Sequence, residues 1–229
     1  MKIAVIIAME EEIGLLKKSM NDITTDTYAG ITVYKGTYGK HQLFVAQSGI
    51  GKVQAGMTTT ILSLNYNPDV VINTGSAGGI GEGLSVGDVV VSTKVAYHDV
   101  DVTGSGYKMG QLPQKPLYFE ANADLVDEVV DAASICNQTC HKGLIVSGDQ
   151  FIESKEHTKQ ILSYFPDALA SEMEGAAVGQ VANQFKIPFV VIRAMSDVGD
   201  ENANVSFDEF VRESGERSVQ MLLSFMDRN

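Results

Sequence analysis

Residues 43–73 read LFVAQSGIGKVQAGMTTTILSLNYNPDVVIN, and this stretch decides the fold class. It begins and ends with short apolar runs, Leu43–Gln47 and Val70–Asn73. Consecutive apolar positions of this length are typical of strands that are buried on both faces. Between the two runs, Gly51–Asn65 has the apolar spacing of a helix. The order strand, helix, strand predicts a parallel sheet covered by helices.

The same alternation continues on both sides of this stretch. Further apolar runs predict strands at Ile3–Ala8, Asp88–Ser92, Gly143–Ser147 and Phe189–Ala194. Helical spacing occupies Asp124–Cys136 and Glu174–Phe185. We therefore predict the α/β class, with a largely parallel sheet that helices cover on both sides.

Two local signals refine this prediction. Lys35–Lys40 lies between two β-branched or apolar runs and predicts a hairpin, so some strands should pair antiparallel. Ser206 and Glu209 form a capping box, which predicts the start of a last helix with an apolar stripe. Because the chain has no Pro- or Ser-rich linker, we expect one domain over residues 1–229.

The composition limits the class of partner. The chain has 229 residues, of which 44% are hydrophobic and 20% charged, as in ordinary globular proteins. Its net charge of −12 argues against binding to nucleic acid or to a membrane, since both require a basic surface. The N-terminal run leaves no room for a signal peptide before Glu10, and two cysteines make no disulfide framework. We therefore expect a cytoplasmic protein.

Polar side chains and glycines collect where four of the predicted strands end. These groups are Met9–Glu12, Thr74–Gly79, Gly148–Ile152 and Met195–Asp197. In open α/β sheets, ligands bind at the carboxyl ends of the strands. The sequence therefore predicts a site at one sheet edge, where Phe151 could stack on a planar ligand.

Each group also has a simpler explanation. The acidic residues Glu10–Glu12 and Glu172–Glu174 can stabilise helix starts, and Asp197 can cap a turn. The glycines at 74–81 also match the TGxxxGxG pattern of short-chain dehydrogenases. That motif, however, follows the first strand and opens a helix, and no tyrosine here has a lysine four residues later. What favours a site is that all the groups share one edge.

Two further groups have the chemistry of metal ligands: Cys136, Cys140 and His141, and His98, Asp99 and Asp101. The first is better explained by a helix end with two packed thiols. The second is equally well explained by a half-exposed strand that places Asp99 and Asp101 on one face. We predict no metal site and no cofactor.

Six motifs together resemble one enzyme family. They are Met9–Glu12, Ser48–Lys52, Asn73–Gly79, Ser147–Asp149, Glu172–Glu174 and Arg193–Asp197. They span essentially the whole chain and are similar to those of the 5′-methylthioadenosine/S-adenosylhomocysteine nucleosidases. The resemblance implies the nucleoside phosphorylase fold, a three-layer αβα domain with a mixed central sheet, and a homodimer. It also implies cofactor-free hydrolysis of the N-glycosidic bond of these nucleosides, with 5′-deoxyadenosine as a further substrate, in support of methionine salvage.

The resemblance assigns the chemistry to two carboxyl groups. Asp197 would protonate N7 of the leaving adenine, so its site should hold the proton above the ordinary pKa of about 4. Glu12 would be the base that activates water. Ser196 would orient the adenine. Carboxylates nearby would favour the cationic ribosyl group that develops as the bond breaks.

The same resemblance implies contacts to the sugar and the base. Glu174 would bind the ribose hydroxyls, with Met173 under the sugar. Phe151 would stack on the purine, and the main chain of Ile152 would read its edge. The residues beside the water and sugar, or supporting the polar network, would be Ser76, Ala77, Gly78, Glu172 and Arg193.

The alkylthio group would lie in an apolar pocket that two subunits share. Its own-chain wall would consist of Met9, Ile50 and Phe207. The partner subunit would contribute the remaining three positions, Val102, Ser105 and Pro113. Some relatives carry an aromatic residue where this chain has Ser105, which bears on the width of the pocket.

Other functions fit parts of the pattern. A phosphorylase of the same fold would need cations around phosphate, yet related enzymes have an arginine where this chain has Asn73, and Glu12 would repel the anion. An AMP nucleosidase would need a cationic 5′-phosphate site instead of an apolar one. A nucleoside-binding protein without catalysis would have no need of both Glu12 and Asp197.

Overall fold

The computed structural model describes residues 1–200 and 202–229, and the side chains of all of these except 10–12 and 205. The strands are β1 (Lys2–Ile7), β2 (Asn21–Tyr28), β3 (Ile31–Tyr38), β4 (His41–Gln47), β5 (Val70–Gly79), β6 (Val89–Tyr97), β7 (Phe119–Glu120), β8 (Cys140–Ser147), β9 (Ala168–Glu172) and β10 (Phe189–Asp197). The helices are α1 (Glu10–Ser19), α2 (Lys52–Tyr66), α3 (Ala123–Ile135), α4 (Lys155–Tyr164), α5 (Gly175–Phe185) and α6 (Ala203–Arg228).

All ten strands belong to one mixed sheet. β1 lies between β4 and β5 and is parallel to both, and the antiparallel strands β3 and β2 extend the sheet beyond β4. On the other side, β5, β10, β6, β8 and β9 pair in a closed circuit that includes parallel and antiparallel neighbours. The prediction of a mixed central sheet is therefore confirmed.

Helices cover both faces of this sheet. Along β1, Ile3, Val5 and Ile7 pack with α1, α3 and α6, whereas Ala4 and Ile6 pack with α2 and α5. This alternation explains why β1 is apolar at consecutive positions, since both of its faces are buried. The arrangement confirms the α/β class and the three-layer αβα architecture.

The sequence predicted α2, α3 and α5 to within one residue at each end. The hairpin near residue 38 is also present, because β3 and β4 pair antiparallel across a tight turn. Its turn is confined to Gly39 and Lys40, and residues 35–38 belong to β3.

Several strands, including β5 and β10, are longer than predicted. β5 continues through the glycine cluster to Gly79, and β10 continues to Asp197. The two extensions pair with each other, as in the register Gly75 to Arg193 and Gly78 to Asp197. Pairing with a distant strand overrides the weak strand propensity of glycine and serine. Because the cluster lies inside a strand, it does not form the turn and helix start that a dinucleotide site requires.

The prediction that Ser206 and Glu209 cap the start of the last helix is wrong. α6 begins at Ala203, and the Ser206 N–H already donates to the carbonyl of Asn202 inside the first turn. The chain turns earlier because the side chain of Asp200 accepts a hydrogen bond from the Asn202 N–H. Glu209 therefore lies within the helix instead of at its start.

The local predictions for the two metal-like groups were also wrong. Cys136 directly follows α3 and Cys140 begins β8, with Asn137 at a positive φ of 52° between them, so the cysteines do not share a helix. β6 ends at Tyr97, before Asp99, and the Asp101 side chain instead accepts hydrogen bonds from Thr103. Among the described residues, no group of three or more His, Cys, Asp or Glu side chains could hold a metal ion.

Several elements have no counterpart in the predictions, among them β2, α4, β7 and β9. β2 is largely exposed and polar, so its sequence lacks the apolar run on which the strand predictions relied. β9 has only five residues, and its position is set by pairing with β5 and β8. Within residues 1–200 and 202–229, no helix is long and apolar enough to cross a membrane.

Candidate functional site

One cavity of about 340 Å³ opens where β1, β5, β9 and β10 end. The loop after β8 and the start of α6 close its sides. Its lining residues are Ala8, Met9, Ile50, Ser76, Ala77, Gly78, Gln150, Phe151, Ile152, Ser171, Glu172, Met173, Glu174, Arg193, Ser196, Asp197 and Phe207. The site predicted at the carboxyl edge of the sheet thus corresponds to a real cavity.

The cavity brings together nearly all of the residues singled out from the sequence. The exception among the site residues expected from this chain is Glu12, whose side chain lies outside the described residues. Val102, Ser105 and Pro113 lie elsewhere in this chain, in the connection between β6 and β7. Their segment holds a short 3₁₀ turn, Thr103–Ser105, and is largely exposed.

Three lining residues were missed: Ala8, Gln150 and Ser171. Gln150 lies within the group Gly148–Ile152 and Ala8 directly precedes Met9, so the neighbouring residues could have indicated both. Ser171 directly precedes the motif Glu172–Glu174, although the strand β9 on which it lies was not predicted.

A buried ionic cluster forms one side of the cavity. The Arg193 guanidinium is fully buried and donates hydrogen bonds to Glu172, to Glu174 Oε2 at 3.3 Å and to Asn73 Oδ1 at 2.7 Å. Glu172 also accepts from the Ser147 hydroxyl and, at 2.8 Å, from the Gly175 N–H. Such a set of charges is stable in a buried position only when each is paired and hydrogen-bonded. The cluster therefore holds the two carboxylates in place.

Glu174 is held from a second direction by the loop that precedes α2. Its Oε1 accepts a hydrogen bond of 2.8 Å from the Gly51 N–H. Gly51 has a φ of +98°, a conformation that side-chain-bearing residues rarely adopt. Asp149 lies beside this glycine, and its Oδ1 accepts from the Lys52 N–H at 2.8 Å, which fixes the start of the helix.

Asp197 occupies the buried end of β10, at an irregularity in its pairing with β5. Burial raises the pKa of its carboxyl above the ordinary value of 3.8, and the charge of Asp200 acts in the same direction. Hydrogen bonds from the Gly199 N–H (2.9 Å) and the Ser196 hydroxyl (3.0 Å) lower the pKa in part. The position therefore favours a protonated carboxyl group that can serve as an acid.

Gly78 leaves room for this carboxyl group. A Cβ atom at position 78 would lie 2.8 Å from Asp197 Oδ1, too close for an unstrained contact. A side chain at this position would therefore displace Asp197.

Aromatic and apolar side chains form the other side of the cavity. Phe151 and Phe207 meet edge to face with their ring centroids 5.5 Å apart. Phe151 is 39% exposed and Ile50 is 57% exposed, although both line the cavity. A cavity with one apolar side and one charged side suits a ligand that is itself part apolar and part polar.

Comparisons with known proteins identify the family of this chain. A family model described as the phosphorylase superfamily matches residues 2–227. The 5′-methylthioadenosine/S-adenosylhomocysteine nucleosidase of an Exiguobacterium species is 45% identical over 229 residues, which cover 100% of this chain and 98% of that protein.

Solved structures of similar proteins extend the match to the fold. The nucleosidase of the same name from Neisseria meningitidis, in complex with methylthio-immucillin-A, has a TM-score of 0.97 and 43% identity, covering 100% of this chain and 99% of that one. A nucleosidase of Colwellia psychrerythraea in complex with adenine has a TM-score of 0.96 and 40% identity, covering 100% and 95%. The chain belongs to the phosphorylase superfamily and, within it, to the family of 5′-methylthioadenosine/S-adenosylhomocysteine nucleosidases.

Proposed function

We propose that this protein hydrolyses the N-glycosidic bond of 5′-methylthioadenosine and S-adenosylhomocysteine, and also accepts 5′-deoxyadenosine. The products are adenine and the corresponding ribose derivative. The observation that carries the proposal is a buried carboxyl group of raised pKa, Asp197, in one cavity with the buried carboxylate of Glu174. The relatives named for this activity support it.

Asp197 acts as the acid. As the bond between C1′ and N9 breaks, its electron pair moves into the purine, and N7 takes the proton of Asp197. A protonated leaving group is needed because adenine is a poor leaving group as an anion. The raised pKa of Asp197 supports this role, since the carboxyl group must hold its proton until the bond breaks.

The sugar side carries the positive charge. The ribosyl group becomes cationic at C1′, and the carboxylates of Glu172 and Glu174 lie in the same cavity to favour it. Glu174 binds the ribose hydroxyls. Glu12 takes a proton from water as the water oxygen bonds to C1′, which completes the hydrolysis.

The remaining lining residues select the substrate. Phe151 stacks on the purine, and the main chain of Ile152 reads its edge. The alkylthio group lies against Met9, Ile50 and Phe207, which offer an apolar surface instead of the cations that a 5′-phosphate would need. Ser76, Ala77, Met173 and Ser196 contact the sugar or orient the base.

We further propose that residues 1–229 form one domain and that the protein is a cytoplasmic homodimer. One sheet includes strands from β1 to β10, and one family model spans 2–227, which supports a single domain. Both cysteines are free thiols, as is usual in a reducing compartment. In the dimer, Val102, Ser105 and Pro113 of each subunit complete the alkylthio pocket of the other.

The decisive experiment measures adenine release from 5′-methylthioadenosine, with and without added phosphate, and identifies the sugar product. We expect free methylthioribose at a rate that does not depend on phosphate. Release of a sugar 1-phosphate only when phosphate is present would make the protein a phosphorylase. Thermal stabilisation by the nucleoside without adenine release would make it a binding protein.

A further inference from the structure

Asn73 is a fully buried residue of β5 whose amide group bonds to the strands on both sides, and the proposed mechanism gives it no role. Its Nδ2 donates to the carbonyl of Ile6 on β1 at 3.0 Å, and its Oδ1 accepts from Arg193 Nη2 on β10 at 2.7 Å. These two bonds fix the orientation of the amide, because the reversed orientation would place donor against donor and acceptor against acceptor. Asn73 therefore connects β1 to β10 across β5.

The sheet register explains how the arginine reaches Asn73. Arg193 pairs with Gly75, two residues beyond Asn73 on β5. Positions 73 and 75 share one face of the strand, since side chains alternate between the faces of a sheet. Because Gly75 has no side chain, the position opposite Arg193 offers nothing that would separate its guanidinium from Asn73. The guanidinium can therefore lie over β5 and bond to the amide.

Asn73 shares one nitrogen of the guanidinium with two carboxylates. Arg193 Nη2 carries two hydrogens. It lies within hydrogen-bond distance of at least three oxygens, which belong to Glu172, to Asn73 and, at the longer distance of 3.3 Å, to Glu174. Two hydrogens cannot make three strong bonds, and the shorter bonds are those to Glu172 and Asn73. The amide oxygen of Asn73 therefore limits how closely this nitrogen binds Glu174.

We propose that Asn73 is a positioning residue for the reaction, which keeps the guanidinium of Arg193 from drawing the carboxylate of Glu174 away from the ribose. This inference rests on the proposed function, in which Glu174 binds the ribose hydroxyls. Without the amide oxygen, the hydrogen that it accepts turns to Glu174, and a bond between two charged groups shortens and strengthens. The carboxylate then moves towards the cluster. Asn73 itself acts only through Arg193 and Glu174.

The test compares Asn73→Ala with the wild type in KM for 5′-methylthioadenosine and in product inhibition by adenine. We expect KM to rise by about 3- to 10-fold, the range for one weakened hydrogen bond. The inhibition constant of adenine should not change, because adenine has no ribose. A merely structural asparagine would lower the apparent kcat through a loss of folded protein and leave KM unchanged. An unchanged KM, or a KM that rises together with the inhibition constant of adenine, would overturn the proposal.

Two further variants test the path of the effect. Asn73→Asp keeps the size of the side chain and an oxygen for Arg193, so its KM should lie nearer to that of the wild type than the KM of Asn73→Ala does. In a Glu174→Gln background, Asn73→Ala should cause little further rise in KM, because residues that act through one another are not additive. An Asn73→Asp variant as impaired as Asn73→Ala, or an equal rise in KM in both backgrounds, would overturn the proposal.

Ser92→Ala is the matched control. Ser92 is also fully buried in the sheet, and its hydroxyl group accepts a hydrogen bond from the Val191 N–H of β10 at 2.9 Å. The variant thus loses a buried side-chain bond to the same strand, away from the carboxylates, and we expect a lower Tm with wild-type KM. Wild-type protein that releases no adenine would refute the proposed function itself. Active wild type with an unchanged KM in Asn73→Ala would refute only the role of Asn73.

Discussion

At Asp197, burial and hydrogen bonding act in opposite directions on one carboxyl group. Burial dominates, so the folded protein holds the proton of this group at a higher pH than the unfolded chain does. A group of this kind stabilises the fold at low pH, and its contribution is lost as the pH rises through the folded pKa. Function and stability therefore conflict at this residue.

Asp197→Asn tests both consequences. We expect kcat to fall by about 10²- to 10⁴-fold, because an amide cannot donate the proton. We also expect the variant to have a higher Tm than the wild type at neutral pH, since it carries no buried charge. The difference in Tm should shrink as the pH falls below 3.8, where the wild-type carboxyl group becomes protonated in both the folded and the unfolded state. Thermal unfolding of both proteins across pH measures it.

Asp26→Asn serves as a control, because the pKa of Asp26 is shifted in the direction opposite to that of Asp197. Hydrogen bonds from Lys35 and Tyr66 lower the pKa of Asp26, so its carboxylate stabilises the fold above the ordinary value and loses this effect as the pH falls. The variant should therefore be less stable than the wild type at neutral pH and fully active. If both variants show the same pH dependence of Tm, the burial of Asp197 has no energetic effect.

Among the secondary-structure elements, the start of α2 links the fold to the site. Gly51 supplies no capping side chain, and Asp149 from the loop after β8 takes that role. The same loop region is tied down by Lys52 and Asp99, since the Asp149 N–H donates to Asp99 Oδ2 at 2.9 Å. The Gly51 N–H that binds Glu174 is therefore positioned by residues outside the cavity.

Asp149→Ala should consequently impair both stability and catalysis. We expect the free energy of unfolding to fall by about 1 kcal/mol, the usual cost of a lost helix cap. kcat/KM for 5′-methylthioadenosine should fall as well, because Glu174 loses a fixed partner. The loss in kcat/KM should be smaller for a substrate without the ribose 3′-hydroxyl group, because Glu174 then has one hydroxyl group fewer to bind.

Asn122→Ala provides the comparison for this prediction. Asn122 caps α3 in the same way, accepting the Leu125 N–H at 2.9 Å, and it does not line the cavity. Its loss should lower stability by about the same 1 kcal/mol and leave kcat/KM unchanged. If the two variants differ from wild type equally in kcat/KM, the link from Asp149 to Glu174 is refuted.

At the scale of the whole molecule, the proposed dimer predicts that each alkylthio pocket contains residues of both subunits. Val102 lies on the connection between β6 and β7, outside the cavity of its own chain. Val102→Asp would place a charge against the alkylthio group of the partner's site and should lower kcat/KM in its homodimer. The Asp197→Asn homodimer should also be inactive, because its amide cannot donate a proton to the adenine.

Co-expression of these two variants should restore activity. In a mixed dimer, the subunit with an intact Asp197 receives an intact Val102 from its partner. With random pairing, about one quarter of all sites become competent, since half of the dimers are mixed and each has one good site. The activity of the purified mixture measures this fraction of competent sites. A mixture no more active than the two separate homodimers would contradict the shared site.

Local sequence was sufficient for the parts of this protein that depend on residue type and spacing. The apolar runs located β1, β4 and the start of β5, and helical spacing located α2, α3 and α5, because burial on given faces imposes these periods directly. The polar groups after those runs also indicated the cavity, since strand ends meet at one edge.

Contacts between distant residues decided the rest. Pairing of Gly78 with Asp197 and with Ser171 extended β5 and β10, created β9 and brought Ser171 into the cavity. A turn at Asp200 moved the start of α6 away from its capping box. The sequence alone determined which segments are buried and which residue types could do chemistry. Only the tertiary structure decided which strands pair and which side chains meet, because those energies depend on partners far apart in the chain.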